Sequence, residues 1–335
     1  MTTTRLHANE APGPPNGLNN QSLTSILGGV DINHYPDPLS SDLRATYGKW
    51  IGLDFNQVIC TNGSDELIRS ILDAFTVPGD TVLLHQPTFG EYEKMTRLRG
   101  CRITAVSTPA PFIIDPEVLI QAAQESSPTV TFVCTPNNPT GYQMPLDDLT
   151  RLVDKLPGIL VIDEAYIDFA DYSQTALPLI QRGNVILMRT LSKAYGMAGL
   201  RVGFGLSSQA NIAKLMEAKL PYNLSILSQR LATFLLDQLP SQDRPALVDQ
   251  VQTEKTRLME ALQDISGLTP FPSSGNFILY RSSRRGQVLQ ACRRANIQIR
   301  DFHGLAQLDD CFRITVGTPD QNKAIIQLLK EVHDE

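Results

Sequence analysis

Four short apolar runs constrain this chain more than any other feature: TVLL at residues 81–84, TVTFVC at 129–134, ILVI at 159–162 and VILM at 185–188. Runs without alternating polar residues suit strands covered on both faces, as in a parallel sheet. Segments with helical periodicity lie between them. One is VICTNGSDELIRSILDAF (residues 58–75), which reads strand, glycine turn, helix, with Leu67, Ile68, Ile71, Leu72 and Phe75 on one face. Alternation of this kind from about residue 34 to 236 predicts an α/β layer architecture.

The C-terminal third reads differently. A long helical pattern at 245–265 precedes a strand at 277–280, a helix at 287–295, strands at 297–300 and 312–316, and a last helix. In that helix Thr318 and Gln321 form a capping box, Pro319 takes the first helical position, and Ala324, Ile325, Leu328, Leu329 and Val332 give the buried face. The expectation is a large α/β domain at 34–236 and a smaller α+β domain made of 1–33 and 237–335.

Composition removes several function classes. The 335 residues are 42% hydrophobic and 19% charged, with a net charge of −6. An acidic pI near 5.4 argues against nucleic acid or an anionic membrane as partner. No apolar run reaches about 18 residues, so no membrane span is expected. MTTTRLHANE lacks the apolar centre of a signal peptide. Cys60, Cys101, Cys134, Cys292 and Cys311 show no pairing or metal spacing and read as reduced thiols in cytoplasm. The five histidines are scattered and suggest no metal site. The APGPPNG stretch (11–17) reads as a loop near the site entrance.

Chemistry concentrates at strand ends, where open α/β sheets bind ligands. The run 185–188 leads into TLSKAYGMAGLR (190–201), which places Lys193 on a short turn with Thr190, Ser192 and Arg201 nearby. An amine with hydroxyls and a guanidinium beside it suits a phosphorylated aldehyde, because the amine forms a Schiff base and the other groups grip the phosphate. Pyridoxal phosphate is such a cofactor. GILVIDEAYIDF (158–169) ends its strand at Asp163, a carboxylate that can pair with a protonated pyridine nitrogen; Tyr166 can donate to the ring hydroxylate. Strand alternation sends Glu164 to the other side. In TVTFVCTPNNPTG (129–141), Asn138 can donate to the phenolic oxygen, and two X-Pro bonds leave cis peptides open. Asn62, Gly63 and Ser64 open a helix whose free N–H groups attract phosphate, and Asp65 and Glu66 suit its first turn.

These segments, with HANE (7–10), HYPDP (34–38), QPTFGEY (86–92), LPYNLS (220–225), SSGNFIL (273–279), IRD (299–301) and FRITVG (312–317), resemble the fold-type I pyridoxal-phosphate enzymes and, among them, the histidinol-phosphate aminotransferases. The resemblance implies a large domain with a mostly parallel seven-stranded sheet, a smaller α+β domain and a homodimer. It implies Lys193 as Schiff-base lysine and proton shuttle, and Asp163, Tyr166 and Asn138 on the ring. Ser64, Asp65, Thr190, Ser192 and Arg201 would hold the phosphate, Phe89 would stack on the ring, and Tyr35 would reach the phosphate of the neighbouring subunit. Arg300, Arg313 and Asn9 would hold the substrate. An arginine in an apolar strand is costly unless paired, which favours an anion at Arg313. Members carry an N-terminal segment with a Pro-Tyr pair that embraces the partner; here residues 1–6 precede His7. The implied reaction is ping-pong transamination between histidinol phosphate, as amino donor, and 2-oxoglutarate. An aromatic aminotransferase, a threonine-phosphate decarboxylase and a non-catalytic regulator that binds the same cofactor are the rival readings.

Overall fold

The computed structural model describes residues 3–15, 18–239 and 245–334. Its strands, in chain order, are β1 (Thr4–Leu6), β2 (Val58–Asn62), β3 (Thr81–Gln86), β4 (Arg102–Ser107), β5 (Val130–Cys134), β6 (Ile159–Asp163), β7 (Val185–Thr190), β8 (Val202–Ser207), β9 (Leu268–Pro270), β10 (Phe277–Ser282), β11 (Ile297–Asp301) and β12 (Cys311–Thr315). A seven-stranded sheet has the order β2-β8-β7-β6-β5-β3-β4. Its pairings are parallel except the two made by β8. This is the mostly parallel sheet the apolar runs predict.

Helices cover both faces. Leu67 and Ile68 of α3 (Gly63–Phe75), Tyr92 of α4 (Gly90–Arg99) and Ile212 of a helix at Gln209–Ala218 pack on Val82, Leu84, Val161, Ile186 and Met188. On the opposite face Leu43, Leu119, Leu149 and Ala232 pack on Val58, Leu83, Leu160, Ile162, Val185 and Leu187. Consecutive strand residues thus enter different cores, as the two-residue period requires. On the second face a buried ion pair joins Glu164 to Arg189 at 2.6 Å. Thr175 and the Ala176 N–H complete the carboxylate's partners, and Tyr172 lies beside the guanidinium. Glu164 therefore points away from Asp163, as expected.

The smaller sheet runs β1-β11-β12-β10-β9. The N-terminal strand β1 pairs with β11 in parallel, and the remaining pairs are antiparallel. The helical pattern at 245–265 forms a helix at Ala246–Leu262, so Ile265 falls in the following turn. The last helix, Pro319–Asp334, carries the expected capping box: Thr318 N–H donates to Gln321 Oε1 (3.0 Å) and Gln321 N–H to Thr318 Oγ1 (3.4 Å). Its buried face needs one correction. Ala324 is exposed, and Asn322 is buried instead, because its amide bonds Glu254 (2.8 Å) and the Gly317 carbonyl (3.0 Å). A helical wheel read for apolar residues alone passes over such a polar core position.

Candidate active site

The carboxyl ends of β2, β3, β5, β6 and β7, and the start of antiparallel β8, meet along one edge of the large sheet. A cavity of about 400 Å3 lies there, lined by Asn9, Ser64, Asp65, Phe89, Asn138, Asp163, Tyr166, Thr190, Ser192, Lys193, Arg201, Arg300 and Arg313 among others. Every residue to which the resemblance gave a role, except Tyr35, lines it; Asn62, Gly63 and Glu66 at the helix start do not. Tyr35 is 82% exposed and stacks on Tyr222, ring centroids 4.6 Å apart.

One end is built for an anion. Gly63 opens α3 at φ +72°, a conformation that disfavours a side chain, and its N–H donates to the Arg201 carbonyl (2.8 Å). Asn62 makes no side-chain cap, so beyond Gly63 the first-turn N–H groups of α3 are left for another acceptor. A Cβ on Gly203 would sit 2.6 Å from the Ser64 nitrogen; the bare glycine lets β8 approach the helix start. Arg201, itself at φ 54°, reaches Asp65 at 3.0 Å. Thr190 and Ser192 share a hydrogen bond of 3.0 Å beside them.

The middle holds the groups that suit a pyridine ring. Asp163 is buried at the end of β6, on the α3/α4 face. Tyr92 OH donates to its Oδ2 (2.6 Å) and the Ala165 N–H to its Oδ1 (3.0 Å). Burial is the main force on its carboxyl, pushed up to about 6; the charged neighbours that act on it, Asp65 and Glu164, are also acids. A buried carboxyl that faces a cavity and accepts two hydrogen bonds fits a cationic ring nitrogen. Tyr166 OH accepts from Asn9 Nδ2 (2.9 Å), and burial pushes the phenol up to about 12, so it is a neutral donor. Phe89 sits edge-on to Tyr92, with centroids 5.6 Å apart. Thr135-Pro136 and Asn138-Pro139 are both cis, and Asn138 lines the cavity.

Lys193 hangs between these groups on the turn after β7. Its Nζ donates to the Ala8 carbonyl (3.1 Å). Burial, then the Arg313 charge, lower it to about 8, near the pH where an amine can both attack a carbonyl and carry a proton. The loop from residue 11 packs on this turn: a Cβ at Gly196 would meet the Gly13 carbonyl at 3.0 Å. Gly13 and Pro15 thus pack on the turn that carries Lys193, but none of residues 11–15 lines the cavity; Asn16 and Gly17 fall outside the described residues.

The far end is cationic. Arg300 and Arg313 are direct partners across β11 and β12. Arg313 is buried among Phe277 and Phe302, donates to the His7 carbonyl (2.8 Å) and to Asn138 Oδ1, and keeps a buried Nε without a partner among the described residues. Burial holds its guanidinium down at about 10, and Arg300 adds to the effect. Arg300 is exposed at the cavity mouth. Asn9 does less at the mouth than at the ring: it is buried, holds Tyr166, and bonds Thr315 through its N–H (2.9 Å) and its Oδ1 (3.1 Å).

Two contributors escape the sequence reading. Tyr92 is a strand-distant partner of Asp163, and only its place in QPTFGEY hinted at it. His7, set aside with the scattered histidines, lines the cavity. Together the groups suit a phosphorylated pyridine aldehyde at one end and an anion at the other.

The chain is similar to known proteins over nearly its whole length. Residues 5–329 match the family described as Aminotransferase class I and II. A histidinol-phosphate aminotransferase of Caldanaerobacter subterraneus subsp. tengcongensis is 34% identical over 329 residues, 98% of this chain and 92% of that protein. One of Roseiflexus castenholzii is 36% identical over 98% of this chain and 89% of its own length. Among solved structures, histidinol-phosphate aminotransferase from Sinorhizobium meliloti in complex with pyridoxal-5′-phosphate superposes with a TM-score of 0.87, at 25% identity, over 99% of this chain and 91% of that one. The chain belongs to the class I and II aminotransferase family.

Proposed function

We propose that this protein transfers the amino group of histidinol phosphate to 2-oxoglutarate, with pyridoxal 5′-phosphate as cofactor. One observation carries the reading: Lys193, Asp163, the α3 N-terminus and the Arg300–Arg313 pair converge on one cavity. The names of the full-length relatives support the choice of donor.

When bound, the cofactor supplies an electron sink for the carbanion left after the substrate carbon loses its proton. Lys193 Nζ takes that proton and returns it. Its lowered proton affinity leaves a useful fraction neutral near neutral pH. The Asp163 carboxylate, steadied by Tyr92, would hold the ring nitrogen protonated. Tyr166 OH and the Asn138 amide would donate to the ring oxygen, and Phe89 would pack against the ring. The N–H groups at Ser64 and Asp65, the hydroxyls of Thr190 and Ser192, and the Arg201 guanidinium take the cofactor phosphate. Arg313 and Arg300 take the anionic end of each substrate, with Asn9 as a positioning residue, and Tyr35 serves the neighbouring subunit of a cytoplasmic homodimer. The site then lies between a large domain at 34–236 and a small one made of 1–33 and 237–335.

A donor panel with coupled detection of glutamate tests the reading. Histidinol phosphate is the preferred donor, and no carbon dioxide is released. Faster turnover of phenylalanine or tyrosine would replace this reading with the aromatic one. Carbon dioxide release from a phosphorylated amino acid would make the enzyme a decarboxylase.

A further inference from the structure

His7 stands where the N-terminal segment crosses from β1 into the cavity. Its carbonyl accepts from Arg313, and the residue lines the cavity with Arg300 and Arg313. Its Nδ1 is buried and has no hydrogen-bond partner among the described residues. A buried polar atom without a partner costs stability unless something supplies one. An imidazole beside Arg300 and Arg313, at the cationic end of the cavity, can donate to an anion held there.

We propose that His7 is a specificity-determining residue that, with Arg300 and Arg313, holds the phosphate of the amino donor and gains a proton when that phosphate binds. This rests on the reading that the donor is a phosphomonoester. Two arginines match the charge of a dianionic phosphate; a carboxylate brings a single charge and fewer acceptors. A group that becomes cationic only in the presence of the dianion distinguishes the two. It adds a charge-assisted bond for the phosphate and stays a neutral donor for the carboxylate of glutamate.

The charges around the ring set the direction of the proton shift. Arg5 and Glu10 lie on its own segment, joined at 2.7 Å, Arg300 comes from β11 and Arg313 from β12. Burial is the largest influence and lowers the imidazole below its usual range. Arg5, Arg300 and Arg313 lower it further, and Glu10 opposes them. His7 is therefore neutral at neutral pH before the donor binds. The incoming dianion offsets the arginines and raises the ring's proton affinity, so binding takes up a proton.

The test is calorimetric titration of the holoenzyme near neutral pH with 3-phenylpropyl phosphate, and with 3-phenylpropanol as the uncharged control. The ester has no amine to react and no titrating group besides its phosphate. Two non-phosphate buffers of different ionisation enthalpy report the protons exchanged. The wild type binds the ester far more tightly than the alcohol and takes up a proton as it does. In His7→Asn that uptake is lost, ester affinity falls about tenfold, and alcohol affinity changes much less. Equal uptake and equal ester affinity in His7→Asn would overturn the assignment while leaving the phosphomonoester reading in place. A wild type that does not prefer the ester to the alcohol would remove both. A second measurement needs no variant. Wild-type affinity for the ester, corrected for the ester's own ionisation, rises as pH falls from about 8 to about 6.5; a flat profile contradicts the proposal.

Discussion

Asp163 concentrates the argument at the scale of single residues. Its carboxyl is buried, faces the cavity, and is held up to about 6, above its ordinary value. A carboxyl whose folded pKa is raised costs stability when ionised. The cost is full above about 6, shrinks as pH falls, and is gone below the unfolded value near 3.9. In the cofactor-free protein at pH 7, Asp163→Asn is therefore expected to raise stability by roughly 1–3 kcal/mol, and the gain should vanish by about pH 4. The same change weakens cofactor binding, because a neutral amide no longer holds the ring nitrogen protonated. Denaturant melts at several pH values, paired with cofactor titration, check both halves; a variant less stable than wild type at pH 7 with undiminished cofactor affinity would refute them. Lys193 gives the complementary case. Lys193→Ala keeps cofactor through the phosphate and ring contacts but loses most turnover, and borohydride treatment of the wild type should fix the cofactor to Lys193. Peptide mapping that finds the adduct on another lysine would move the chemistry elsewhere.

At the scale of elements, the site depends on how closely β8 approaches the start of α3. Gly203 on β8 has no room for a Cβ against the Gly63–Ser64 backbone, and backbone cannot step aside as a side-chain tip can. Gly203→Ala is expected to cost about 1–3 kcal/mol of stability and to lower cofactor affinity by displacing the N–H groups at the helix start. Thermal melts and cofactor titration read the two effects, and a variant matching wild type in both would show that the approach is slack. This dependence explains what was legible in advance. The apolar runs and the helical faces follow from local periodicity, so the sheet and α3 could be read directly. Lys193 and Asp163 end such runs, and strand alternation was enough to turn Glu164 away. Tyr92 and His7 could not be reached in this way. Tyr92 meets Asp163 across 71 positions of sequence. His7 enters the site only because β1 joins a strand made almost 300 residues later. Ala324 failed for the opposite reason: a periodic pattern counts apolar residues and cannot see that Asn322 has buried polar partners.

At the scale of the whole molecule, two surfaces carry the expectations. Arg300 and Arg313 share one register position on the small sheet but not one environment: Arg313 is buried and Arg300 lies at the mouth. Arg313→Ala should impair both half-reactions, and Arg300→Ala should impair histidinol phosphate more than glutamate. Losses of tenfold or more in kcat/KM match charge-assisted bonds of about 1.5–3 kcal/mol. Equal losses for both substrates in Arg300→Ala would assign it a general role. The second surface holds the stacked, exposed pair Tyr35 and Tyr222, with exposed Ile32 and Leu220 close to them in sequence. Exposed apolar groups in one neighbourhood suit a partner. Sedimentation is expected to give a dimer that Tyr35→Asp weakens; an active monomer would argue that the site is complete in one chain.

The central claim is that Lys193, Asp163 and the arginine pair serve a single transamination cycle. Single-turnover absorption spectroscopy tests it most directly. Mixed with histidinol phosphate alone, the purified holoenzyme should convert from its pyridoxal to its pyridoxamine form, and 2-oxoglutarate alone should then restore the first spectrum with one glutamate formed per site. A cofactor spectrum that histidinol phosphate leaves unchanged, or a change that 2-oxoglutarate does not reverse, would contradict the account.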